Sequence, residues 1–156
     1  MIAKRSVAPQ QNICAALATI VKDSTTMIIS AKEFKELRDL NDDRANHDSA
    51  NVNVWRDVID NYPDYKIWVI HNKTVPIEIL EYLALDSDAK VRGAVAGKRK
   101  INDKIFDLLK ADNDESVRYD LISNTKLSID KLNQIKTDDS EWLKQQLKDK
   151  LLRHNG

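Results

Sequence analysis

With one cysteine in 156 residues, Cys14, the chain has no means of closing an internal disulfide. Its three histidines, His47, His71 and His154, are too scattered to offer a metal-ligand spacing. Glycine and proline occur three times each, and the aromatics are three tryptophans, four tyrosines and two phenylalanines. Turn formers and strand formers are therefore scarce, while Leu, Ile, Ala, Lys and Asp dominate, which excludes an all-β fold and favours helices. Charge of one sign is missing too: 25 basic side chains face 25 acidic ones, so no global field draws the chain onto nucleic acid or an anionic membrane. Electrostatic binding has to come from a local patch. No Gly-rich phosphate loop, nucleophile elbow, paired-histidine helix or cysteine cluster occurs. The expectation is a cytoplasmic protein that is not an enzyme and uses no cofactor or metal. Lys4 and Arg5 followed by the apolar run Ile13 to Val21 imitate a secretory signal, but the run is short and begins late. Residues 1–26 read as an N-terminal extension or capping helix, with Met27 as an alternative start, and residues 27–156 as a single domain.

What the chain does have is an internal repeat, which takes precedence over other readings. Asp86-Ser87-Asp88-Ala89-Lys90-Val91-Arg92 returns 26 residues later as Asp112-Asn113-Asp114-Glu115-Ser116-Val117-Arg118. The same frame extends back to Asp60 and forward to Asp138. Its columns keep their character: Tyr65, Val91, Val117 and Leu143 are apolar, as are Val69, Val95, Leu121 and Leu147, while Lys66, Arg92, Arg118 and Lys144 are basic. Each unit has a second stripe (Ile79, Leu80, Leu83; Ile105, Phe106, Leu109; Leu132, Ile135) at helical spacing. A unit is thus two short helices. Asn72, Lys98 and Asn124 stand at the end of the first, where asparagine suits a left-handed terminating residue. Pro76, Asn102 and Ser128 open the second.

Outside the clear repeats, Ser30 and Glu33 form a capping box for a helix over about residues 31 to 41, and residues 41–51 read as a polar connection. Residues 141–153 predict a longer amphipathic helix that caps the array, with the cap starting from Asp138.

Asp-x-Asp-x-x-Val-Arg followed by small or aliphatic residues resembles the HEAT repeat and its shorter relative, the variant leucine-rich repeat, over residues 60–140. The stretches His71-Asn72-Lys73-Thr74-Val75-Pro76 and Ala96-Gly97-Lys98-Arg99-Lys100 are similar to small bacterial HEAT-repeat proteins. The resemblance implies an all-α fold, a right-handed α-solenoid of short HEAT-like helical hairpins on a 26-residue repeat, with terminal capping helices. It implies that the Val-Arg helix lines a concave face, turning Ile67, His71, Gly93, Gly97, Tyr119 and Ser123 toward the groove, with Trp68, Ala94 and Asp120 at its edge. Gly93 and Gly97 depart from good helix formers, and a close partner is one reason for them.

Two readings stand for Asp86, Asp88, Arg92, Asp112, Asp114 and Arg118: a ladder of side-chain bonds between neighbouring units, or a polar binding strip. Lys98, Arg99 and Lys100, joined by Lys104, Lys73 and Lys126 from neighbouring turns, are the one local basic patch, either a solvated turn or a hold for phosphates or an acidic protein surface. Trp68, His71 and Tyr119 are bulky groups at groove positions where interface anchors belong, although Trp68 also suits packing between repeats. These residues predict a non-catalytic protein-binding module, monomeric on its own, and within that class a bacterial immunity protein neutralising a toxin. The alternatives are a nucleic-acid-binding or DNA-glycosylase-like HEAT protein, and a general scaffold or adaptor.

Overall fold

The computed structural model describes residues 27–154, so the extension or cap read over residues 1–26, with Cys14, lies outside the described residues. The described chain is mostly helical. Ten helices follow in order: α1 (Ala31–Asp39), α2 (Arg44–His47), α3 (Val52–Asn61), α4 (Lys66–His71), α5 (Ile77–Leu83), α6 (Ala89–Ala96), α7 (Asp103–Leu109), α8 (Glu115–Ser123), α9 (Ile129–Leu132) and α10 (Glu141–His154). One short parallel pair, β1 (Met27–Ile28) against β2 (Ser49–Ala50), was not expected from the composition. Residues 41–51 are correspondingly more ordered than a polar connection, since they hold both α2 and β2.

The helix starts follow the side chains that begin them. The Ser30 hydroxyl accepts from the Glu33 N–H at 3.1 Å, and the Glu33 carboxylate accepts in return from the Ile29 N–H at 2.8 Å. Asp88, Asn102, Asp114 and Ser128 cap α6, α7, α8 and α9, and the Ser140 hydroxyl does the same for α10. Each such cap contributes about 1 kcal/mol. Pro76 opens α5 without a side-chain bond. α1 stops at Asp39, two residues before the expected end, because Asn41 takes φ 53° and the Asp42 N–H returns to the Leu37 carbonyl at 2.8 Å. That is a left-handed asparagine stop.

α4, α6, α8 and α10 are successive neighbours, and α3, α5 and α7 are successive neighbours beside them, with α5 against α6 and α7 against α8. The core lies between the two rows: Val69, Val95 and Leu121 from the first, and Val58, Ile79, Leu83, Ile105 and Leu109 from the second, all essentially inaccessible. α1 closes one end on α3, where the Phe34 and Trp55 rings meet edge to face at 5.2 Å. At the other end Leu143 is buried, but Trp142 remains 48% exposed.

Two columns of polar side chains tie unit to unit. In the first, Lys66 reaches Asp86 at 2.7 Å, Arg92 grips Asp112 through two bonds of 2.7 and 2.9 Å, and Arg118 reaches Asp139 at 2.8 Å. Each arginine also fastens its own turn, Arg92 to the Asp86 carbonyl at 2.8 Å and Arg118 to that of Asp112. Burial pushes the Asp112 carboxyl up, but the Arg92 guanidinium and the Asp114 N–H more than reverse this, holding it below its ordinary value. The last member departs from the 26-residue frame, taking Asp139 rather than Asp138. In Asp138-Asp139-Ser140 the serine already caps the helix, leaving Asp139 for the arginine. The first member departs as well: Asp60 sits exposed near the end of α3, and a 3-10 turn over Pro63–Tyr65 replaces the Asp-x-Asp turn.

The second column corrects an expectation. Asn72 and Asn124 have φ near −60° (−56° and −61°), so neither ends its helix by a left-handed backbone. Their buried side chains do the work instead. The Asn124 amide donates to the Ala96 and Lys98 carbonyls of the preceding unit at 2.8 and 2.9 Å and accepts from the Lys126 N–H at 2.9 Å. Asn72 repeats this with Ala45, Asp48 and Thr74. Carbonyls left over at a helix end need donors, and a neighbouring unit supplies them here.

Candidate functional site

Lys98 occupies the same column 26 residues from each of those asparagines, and its ammonium donates to the Ile70 carbonyl and, at 2.8 Å, to that of Asn72. It is half-buried, and burial lowers its pKa from the ordinary lysine value. The basic patch is therefore not three equivalent lysine and arginine heads. Lys98 is turned inward as part of the column, while Arg99 and Lys100 are exposed and have no ion pair or hydrogen bond among the described residues. Lys104 is committed to Glu81 at 2.6 Å, and Lys73 contacts the His47 ring. The ladder residues Asp86, Arg92, Asp112 and Arg118 are likewise engaged with each other and with Lys66 and Asp139, and Asp88 and Asp114 with the helix N–H groups they cap.

The positions expected at the groove fall into two groups. On α4, Ile67 is half-buried and packs against the core, while Trp68 is 40% exposed, with the Arg38 guanidinium stacked 3.7 Å from its ring centroid and His71 edge-on at 5.6 Å. A tryptophan with a stacked cation is partly held in place yet still presents its other face. Burial first, and then the Lys98 and Arg38 charges, lower the His71 pKa, and among the described residues no carboxylate bonds to its ring.

On α6 and α8 the arrangement is tighter. Gly93 is buried, and a Cβ there would run into the Asp120 carboxylate, so the glycine is what lets that side chain lie across α6. Gly97 has no such neighbour and is exposed, as is Ser123, whose carbonyl accepts from Lys150 at 3.3 Å. The Tyr119 ring packs against Trp142 at 4.9 Å. Asp120 itself is half-buried and has no hydrogen bond or ion pair among the described residues. Burial first, and Asp114 second, raise its pKa above the ordinary carboxylate value. A half-buried acid without a donor is unfavourable in the isolated chain.

A cleft of about 410 Å³ opens between the start of α5 and the turn after α6, floored by Val75, Ile77 and Leu80 and rimmed by Lys73, Lys98, Arg99 and Lys100. The basic rim is legible in the sequence, but the apolar floor is not, since Val75 and Ile77 flank Pro76 with no pattern that joins them to the basic run at 98–100. Arg38 over Trp68 is not legible either: α1 stands outside the repeat frame, so no column points to it. Among the described residues no cluster of three His, Cys, Asp or Glu side chains is placed to hold a metal, and no helix is long and apolar enough to cross a membrane. No protein-family model matches the chain, and no curated protein or solved structure matches it at a significant level.

Proposed function

We propose that the chain is a non-catalytic protein-binding module, a right-handed α-solenoid of HEAT-like hairpins whose α4, α6 and α8 line a concave face, and that it acts as a bacterial immunity protein neutralising a toxin. The observation that carries this reading is Asp120, a half-buried carboxylate lying across Gly93 with no donor among the described residues. A lysine or arginine brought by a partner completes that acid, and the Trp68 ring on α4 and the Tyr119 ring on α8 supply the apolar anchors an interface needs. A basic catalytic centre, such as that of a toxin acting on nucleic acid, has the charge such a face would occlude.

Asp120→Asn tests it. The raised pKa means that Asp120 favours the folded state below the ordinary value of 3.8, and that this contribution is lost as pH rises through its folded pKa. Removing the charge is therefore expected to stabilise the isolated chain at pH 7, raising Tm by about 3 °C, and to leave it unchanged at pH 3. The same variant is expected to weaken capture of the partner when the tagged full chain is co-purified from source cells, and to reduce protection in a growth assay against that partner. No toxin-like partner and no growth protection with the unaltered chain would overturn the reading.

A further inference from the structure

The cleft beside α5 lies apart from Asp120 and combines two properties that a solvated turn does not need together. Its floor is aliphatic, with Ile77 38% exposed at the first position of α5. Its rim is cationic, with Lys73 from the turn before α5, and Lys98, Arg99 and Lys100 from the turn after α6. No carboxylate lines the cleft: of the two acids on α5, Glu81 is taken up by Lys104 at 2.6 Å and Asn102 at 2.7 Å, and Glu78 is exposed beside Ile77 without an ion pair among the described residues. Arg99 and Lys100 have no carboxylate among the described residues, and Lys98 is held by carbonyls alone.

We propose that this cleft is a docking site for an acidic segment of a protein partner, one that carries an apolar side chain between carboxylates. Charge complementarity selects the acid, and the cleft's volume accommodates one or two apolar side chains on the floor. The cations come from two turns, Lys73 before α5 and Lys98 to Lys100 after α6. A peptide with acids on each side of its apolar residue offers a carboxylate to each turn. A nucleic acid finds cations here but no aromatic ring among the lining residues on which to stack a base. The inference rests on the protein-binding reading but on separate residues, and it adds a second contact to the one at Asp120.

The test is calorimetric titration of the full chain with a heptapeptide of one phenylalanine between two runs of three glutamates. Controls are the same peptide with alanine for phenylalanine, the same with lysines for glutamates, free decanoate, and an oligothymidylate. Salt-dependent binding of the first peptide is expected, weakened about tenfold by Arg99→Glu with Lys100→Glu, and weakened as much by Ile77→Asp. The aspartate suits the first turn of α5, so the fold is retained. Asp120→Asn should leave this titration unchanged. A chain that binds the peptide but captures no partner would fail the reading at Asp120 and keep this one. Absence of peptide binding, equal binding of the alanine or lysine peptide, indifference to charge reversal, or preference for decanoate or oligothymidylate would each overturn it.

Discussion

Arg118→Ala is expected to lower the free energy of unfolding by about 3 kcal/mol, read from urea denaturation with an unchanged slope. Arg118 is only 1% exposed, although it carries a charge. Its guanidinium bonds the Asp112 carbonyl in its own turn and the Asp139 carboxylate of the next unit at 2.8 Å. Alanine removes both bonds, opens a hole where the stem packed, and strands the Asp112 carbonyl. Asp139 is partly open to water, so its loss of a partner is mild, which keeps the expected cost at the low end for a broken buried pair. Arg118→Met should recover part of the loss by filling the hole. Lys144→Ala, in the same column but paired with exposed Glu141, should produce no measurable change. A loss below about 1 kcal/mol for Arg118→Ala would mean that the ladder does not hold the units together.

Asn124→Ala should cost about as much, near 3 kcal/mol, through a different route. The residue is 4% exposed and makes three hydrogen bonds, two of them to carbonyls of the preceding unit. At about 1 kcal/mol each the bonds account for the loss, and the carbonyls at the end of α6 lose a donor that water can replace only in part. Asn124→Asp should be worse at neutral pH, because a carboxylate would face those two carbonyls. Thermal and urea unfolding of the three proteins side by side gives the order directly.

Much of this was legible in the sequence because the repeat places like chemistry at like positions. The Asp-x-Asp turn, the caps at Asn102 and Ser128 and the apolar columns follow from residue types whose preferences are local. The misreadings arose where one residue type has two uses. Asparagine ends a helix either by its backbone or by its side chain: among the described residues only Asn41 takes the left-handed backbone, whereas Asn72 and Asn124 reach into the unit before. Lys98 read both as a helix-end position with Asn72 and Asn124 and as one of three adjacent basic residues, and a lysine in an asparagine column gave no sign that its ammonium would reach the carbonyls of the preceding unit. Asp138 and Asp139 are chemically identical neighbours, so a one-residue shift had no signature. The role of Gly93 became visible only with Asp120 across from it, 27 residues on and on another helix.

The measurement that bears most directly on the column is urea unfolding of Lys98→Ala and Lys98→Asn beside the unaltered chain. If position 98 serves as positions 72 and 124 do, alanine costs about 1 to 2 kcal/mol by stranding the Ile70 and Asn72 carbonyls, and asparagine restores the stability to within about 0.5 kcal/mol. Both variants matching the unaltered chain would contradict it, and would return Lys98 to the solvated surface.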